Sequence, residues 1–222
     1  MPAVLFGSIS SVADTSELQR KAFNDAFAEH GLDWEWGQDE YVALLESSGG
    51  EQRIAEQARE RGEDVDAAAV HATKSRLFQE AIPGAGLTPR PGVVETIRAA
   101  KEQGFEVAWV TSTARESLTA VLDAVGSELS EADFDLICDS STVARSKPDP
   151  APYAFALEQL GEPAEACVAI EDNVPGVQAA HAAGVAVAAF PNENTAAHDF
   201  AEADRVVDRL AFDELRTAIR TA

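Results

Sequence analysis

Short apolar runs recur along most of this chain, and longer helical patterns separate them. AVLF (3–6), FEVAWVT (105–111), DLICD (135–139), CVAIED (167–172) and VAVAAF (185–190) read as buried strands. VVETIRAAKEQ (93–103), PAPYAFALEQL (150–160) and GVQAAHAAG (176–184) have helical spacing and close on Gly104, Gly161 and Gly184. A glycine just past a helical repeat is a stop signal, because it takes the left-handed backbone that ends a helix. Strand–helix alternation of this kind predicts an α/β fold, a doubly wound parallel sheet. One region breaks the rhythm. From Ser16 to Gly84 there are about four helical patterns and no strand. The expected organisation is therefore a core of residues 1–15 and 86–222 with an inserted all-helical cap, 16–85. Pro89 and Pro91 stiffen the return to the core.

The 222 residues suffice for such a core with a smaller insert. A formal net charge of −22 repels phosphodiester backbones and anionic lipid, so neither nucleic acid nor membrane is an expected partner. A solvated acidic surface explains the charge more simply. No apolar stretch reaches ~20 residues, and no basic segment leads into a long apolar one at the N-terminus. Cytoplasmic localisation is the expectation. Cys138 and Cys167 lie inside strand-like runs and read as buried structural thiols.

In an open parallel sheet, ligands bind beyond the carboxyl ends of the strands. Four stretches end there: residues 7–11, Thr111 with Ser112, Arg145–Pro148, and Glu171 with Asp172. Two adjacent acids at a strand end offer hard oxygen ligands to a divalent cation, or they cap the helix that starts near Val174. Lys147, fixed before two prolines, suits a phosphoryl group and balances carboxylates. Thr111 and Ser112 suit an oxyanion, or cap the helix from Ala114. In the cap, SSGGEQRI allows a sharp turn at Gly49 and Gly50 that aims Arg53 at the core or leaves it on the surface. Arg115 faces solvent, with a ligand contact as the alternative. His30, His71, His181 and His198 show no metal spacing, and Trp34, Trp36 and Trp109 read as packing residues.

Together these motifs resemble the haloacid dehalogenase-like superfamily, in the branch with a helical cap after the first strand. AFNDAFAEHGLDWEW and SSGGEQRIAEQA resemble its CbbY-type sugar-phosphate phosphatases, relatives of β-phosphoglucomutase. The resemblance implies a Rossmann-like core, a sugar-phosphate ligand and a Mg²⁺ cofactor. It maps phosphate binding onto Thr111, Ser112 and Lys147, and metal binding onto Glu171 and Asp172. The first motif departs from the family. Where the family has Asp-x-Asp-Gly-Thr-Leu-x-Asp-Thr, this chain reads from Gly7 to Thr15 as GSISSVADT. Gly7 takes the place of the nucleophilic aspartate and Ile9 that of the general acid/base. Gln19 stands near the family's cap histidine, and Glu51 follows Gly50 where the family tends to have lysine.

Gly7 cannot attack phosphorus, and a charged metal ligand goes with it, so Mg²⁺ binding should be weakened. Ile9 cannot carry a proton, which removes a contribution of about 10²–10⁴-fold. Ser8, Ser10 and Ser11 offer hydroxyls, but Ser8 is expected on the opposite face of the strand from Gly7. Three functions follow: a phosphate-ligand binder without ordinary phosphatase activity, a hydrolase with relocated chemistry, or a non-catalytic scaffold for a protein partner.

Overall fold

In the computed structural model, which describes residues 1–47 and 49–219, the apolar runs form one parallel sheet. Its strands are β1 (Ala3–Phe6), β2 (Glu106–Val110), β3 (Leu136–Cys138), β4 (Cys167–Glu171), β5 (Ala186–Ala189) and β6 (Arg205–Val206). The order across the sheet is β3-β2-β1-β4-β5-β6. The central strand is β1, with Phe6 opposite Trp109 on one side and Ile170 on the other. All four residues of β1 are fully buried, so both of its faces must be apolar. Val4 and Phe6 join the cluster under α5 (Val93–Glu102), α6 (Arg115–Val125) and α9 (Phe212–Leu215). Ala3 and Leu5 join the opposite cluster under α7 (Ala151–Leu160) and α8 (Val174–Ala182). That split is the two-residue period of a strand.

Between β1 and α5 the chain forms α1 (Ser16–Glu29), α2 (Gln38–Leu44), α3 (Gly50–Arg61) and α4 (Ala67–Ala81). These helices bury a core of their own, built on Phe23, Phe27, Trp34, Trp36, Tyr41, Ile54 and Val70. Phe23 and Trp36 pack with ring centroids 4.7 Å apart, and Trp109 stacks on Phe134 at 5.0 Å. The return to the sheet is fastened by Arg90, whose guanidinium donates to the carbonyls of Ser10 (2.9 Å), Phe190 (2.7 Å) and Pro191 (2.5 Å). No helix among the described residues is long and apolar enough to cross a membrane.

The strand β6 has no apolar run behind it. Its two residues pair only at the sheet edge, opposite Ala188 and Ala189, so tertiary pairing rather than local pattern makes it.

Candidate functional site

The carboxyl ends of β1, β2 and β4 open into a cavity of about 480 Å³ between the sheet and α1–α4. Its floor begins at Asp172, just past β4. The Asp172 Oδ1 accepts from Ser8 Oγ at 2.5 Å and from Asn173 Nδ2 at 2.6 Å, and its Oδ2 accepts from Asn192 Nδ2 at 2.7 Å. Helix α8 is capped by Asn173, whose side chain accepts from the Gly176 N–H at 2.9 Å. Asp172 is therefore free of the capping task that the sequence allowed it, and faces the cavity. Thr111 and Ser112 also line the cavity, and neither caps α6. The Thr111 hydroxyl instead accepts from the Thr113 N–H at 3.2 Å.

Glu171 lies behind this floor and is fully buried. Its Oε1 accepts from Lys147 Nζ at 2.5 Å and from the Tyr153 hydroxyl at 2.6 Å. Lys147 also donates to the Val110 carbonyl at 2.6 Å, which ties it to the end of β2. The other carboxyl oxygen, Oε2, has no partner among the described residues. Burial raises the Glu171 pKa, and the Lys147 ammonium opposes that shift. The carboxyl group sits in a slot with a glycine on either side. A Cβ placed on Gly7 or on Gly176 would overlap the Glu171 carboxyl carbon. The space at the end of β1 that a side chain would enter is thus filled from β4.

Ser8 stands at the cavity, not at the Glu171 slot. A Cβ on Gly7 would meet Glu171, whereas the Ser8 hydroxyl reaches Asp172 and lines the cavity. Past Phe6 the chain leaves the strand for a short 3-10 turn at Ile9–Ser11, so strand alternation no longer sets the direction. Ile9 is 2% exposed within the main core and brings only carbon to the cavity wall.

The roof comes from the cap. Gln19 accepts from Lys74 Nζ at 3.0 Å and donates to the Thr15 hydroxyl at 3.1 Å. Arg53 points inward, its Nη2 donating to the Ser47 carbonyl at 2.7 Å. Its Nε is buried without a partner among the described residues. His71 and Lys74 of α4 complete the roof, and neither stands among the functional residues expected from the sequence. A signal was present: Val70, Lys74 and Phe78 form the buried stripe of α4, and a lysine on a core stripe is anomalous. The Lys74 Nζ lies 4.6 Å from the Phe23 ring centroid and 5.0 Å from that of Phe78. Arg115 takes no part, pairing with Glu131 at the surface.

Most of the acid oxygens at the floor are engaged by protein donors. Both Asp172 oxygens are engaged by neutral donors, and the engaged Glu171 oxygen faces an ammonium. Among the described residues no three His, Cys, Asp or Glu side chains converge on one point. Cys138 and Cys167 are buried, and burial pushes both thiols up to about 11.

A family model described as haloacid dehalogenase-like hydrolase matches residues 5–184. CbbY of Rhodobacter capsulatus is 37% identical over 215 residues, covering 95% of each chain. The crystal structure of Rhodobacter sphaeroides CbbY in complex with phosphate superposes with a TM-score of 0.87 at 35% identity, covering 99% of both chains. A mutant of that CbbY in complex with xylulose-(1,5)bisphosphate also gives 0.87, at 33% identity and full coverage of both chains.

Proposed function

The chain belongs to the haloacid dehalogenase-like hydrolase family, and from that premise we propose that it binds a phosphorylated sugar between core and cap without the family's aspartate chemistry. One observation carries the proposal: at the end of β1 there is no carboxylate to attack phosphorus. Gly7 has no side chain, its space holds the Glu171 carboxyl group, and Ile9 is a buried hydrocarbon. The ligand class rests on the cavity and on the sugar bisphosphate bound by the related CbbY.

In this reading the cap, residues 16–85, closes over the ligand. Thr111 and Ser112 supply hydroxyls at the β2 end, where strand-end N–H groups also favour an oxyanion. Lys147 balances the charge of Glu171 behind the floor, so a phosphoryl group meets one carboxylate there, Asp172, rather than two. Mg²⁺ associates weakly because its donor set is incomplete.

A second reading rests on Ser8. Its hydroxyl already donates to a carboxylate in the cavity, the arrangement of a nucleophile beside a base. Phosphate release across a panel of sugar phosphates with Mg²⁺ separates the two. The wild type should be silent, and a Gly7→Asp, Ile9→Asp variant should turn over once its new carboxylate displaces Glu171 from the slot. Release by the wild type that disappears in Ser8→Ala overturns the binding-only proposal.

A further inference from the structure

The segment between β5 and β6 buries Asn192, Asn194, Thr195 and His198, polar side chains that a connecting loop ordinarily leaves in water. Local bonds give it its shape. The Asn192 N–H donates to Thr195 Oγ1 at 3.0 Å, and the Thr195 and His198 N–H groups donate to the carbonyls of Asn192 (3.1 Å) and Thr195 (3.0 Å). Asn and Thr suit such turns because their short side chains reach the neighbouring backbone. The Asn192 amide is used at both ends. Its Nδ2 donates to Asp172 Oδ2 at 2.7 Å on the cavity floor, and its Oδ1 accepts from the Asn194 N–H at 2.9 Å.

Asn194 and His198 face the cap. Asn194 Nδ2 donates to Glu17 Oε1 of α1 at 2.6 Å, and its Oδ1 accepts from Gln38 Nε2 of α2 at 3.3 Å. His198 Nε2 donates to the Val42 carbonyl of α2 at 2.9 Å. Glu17 is held for this contact by Arg20, 2.7 Å away. Beyond the hinge residues, the cap makes one other hydrogen bond to the core among the described residues, from Gln79 Nε2 to Ser117 Oγ at 3.2 Å. We propose that residues 192–198 form a latch: they hold α1 and α2 down on the sheet, and their hold depends on the bond from Asn192 to Asp172. One loop then sets both the floor carboxylate and the position of the cap. The inference goes beyond the sugar-phosphate reading and applies to the chain without ligand.

Placement and burial carry it. The chain passes between cap and core near residue 15 and near residue 85, so non-covalent contacts set where the cap rests. Ala22 and Phe78 pack into the sheet's apolar cluster, but such contacts have no direction. The bonds from Asn194 and His198 do, and they fix α1 and α2 in one position. A buried polar network with its members paired is rigid, and removing one member strands the others away from water. The cap keeps its own aromatic core meanwhile, so it can lift as a folded unit.

The test is cysteine protection. Ala22 of α1 packs in the sheet's cluster rather than the cap's own, so the thiol of an Ala22→Cys parent is masked while the cap is down and reacts when it lifts. Cys138 and Cys167, buried in the sheet, report unfolding of the whole chain in the same sample. Iodoacetamide labelling is followed thiol by thiol by mass spectrometry, and its rate scales with the population of the open form. Added to the parent, Asn194→Ala should speed labelling of the cap thiol at least about tenfold, the effect of losing a hydrogen bond to a charged group, with the two native thiols unmoved. His198→Phe keeps a ring and loses the donor, and should speed it several-fold. Asn192→Ala removes no hydrogen bond to the cap, yet should also speed it, because it cuts the floor end of the latch. Gln79→Ala should have a smaller effect than Asn194→Ala. The latch is overturned if Asn194→Ala and His198→Phe label at the parent rate, if Cys138 and Cys167 accelerate in step with the cap thiol, or if Gln79→Ala matches Asn194→Ala. An unchanged rate in Asn192→Ala overturns the link to Asp172. All of this is measured without ligand, so failure of the latch is distinct from failure of the proposed function.

Discussion

Gly7 and Glu171 are two halves of one packing decision. The carboxyl group of Glu171 occupies the volume beside a Cβ-free position, so even a methyl group at residue 7 forces it to move. Overpacking a closed site costs about 1–3 kcal/mol, and Gly7→Ala should lower stability by that amount in urea denaturation. Combined with Glu171→Ala, the loss should be clearly less than the sum of the two single losses, because the clash partner is gone. Lys74 is the second residue whose cost is visible. Its amine titrates near 7 in the folded chain against 10.5 for the ordinary side chain. Between those values the unfolded chain binds more protons, so this residue makes stability rise with pH across that window. Below it, the folded protein carries a buried charge at full cost. Lys74→Met should therefore be stabilising by on the order of 3–5 kcal/mol at pH 6, with the gain fading toward pH 10.5. A gain that does not change with pH would mean that packing, not charge, sets the cost.

At the scale of elements, the site depends on how β4 hands over to α8. Asn173 does two things there: its carbonyl oxygen caps the helix, and its amide donates to Asp172. Removing a cap of this type costs about 1 kcal/mol, so Asn173→Ala should lower Tm by about 2–4 °C. It should also weaken ligand binding through Asp172. The strands were legible as apolar runs, within a residue or two at each end: 105–111 in pattern became Glu106–Val110 in the sheet. Two element-level features were not legible. The pair β5–β6 depends on an edge contact with no local pattern. The position of the cavity on the Ser8 side goes with a 3-10 turn that begins just past Ser8.

The whole molecule is a sheet and a helical layer that meet around one cavity, and its response to ligand tests that arrangement. Anything bound only by the folded state stabilises it by about 2.7 kcal/mol at a hundredfold excess over Kd. Xylulose 1,5-bisphosphate should then raise Tm by several degrees without phosphate release, while millimolar Mg²⁺ alone should leave Tm unmoved. A clear shift with Mg²⁺ alone would overturn the incomplete donor set. The sequence by itself determined the α/β alternation, the helical insertion after the first strand, and the placing of Thr111, Lys147, Glu171 and Asp172 at the carboxyl side of the sheet, because strand ends carry periodic and local signals. It also determined that residues 7 and 9 bring no acid to the site, a matter of composition alone. Only the tertiary structure decided that Glu171 fills the space beside Gly7 and that Asp172, not Glu171, faces the cavity. It alone brought Arg53, His71 and Lys74 to one wall. Each of these depends on which side chains from distant segments share a volume, and local periodicity does not encode that.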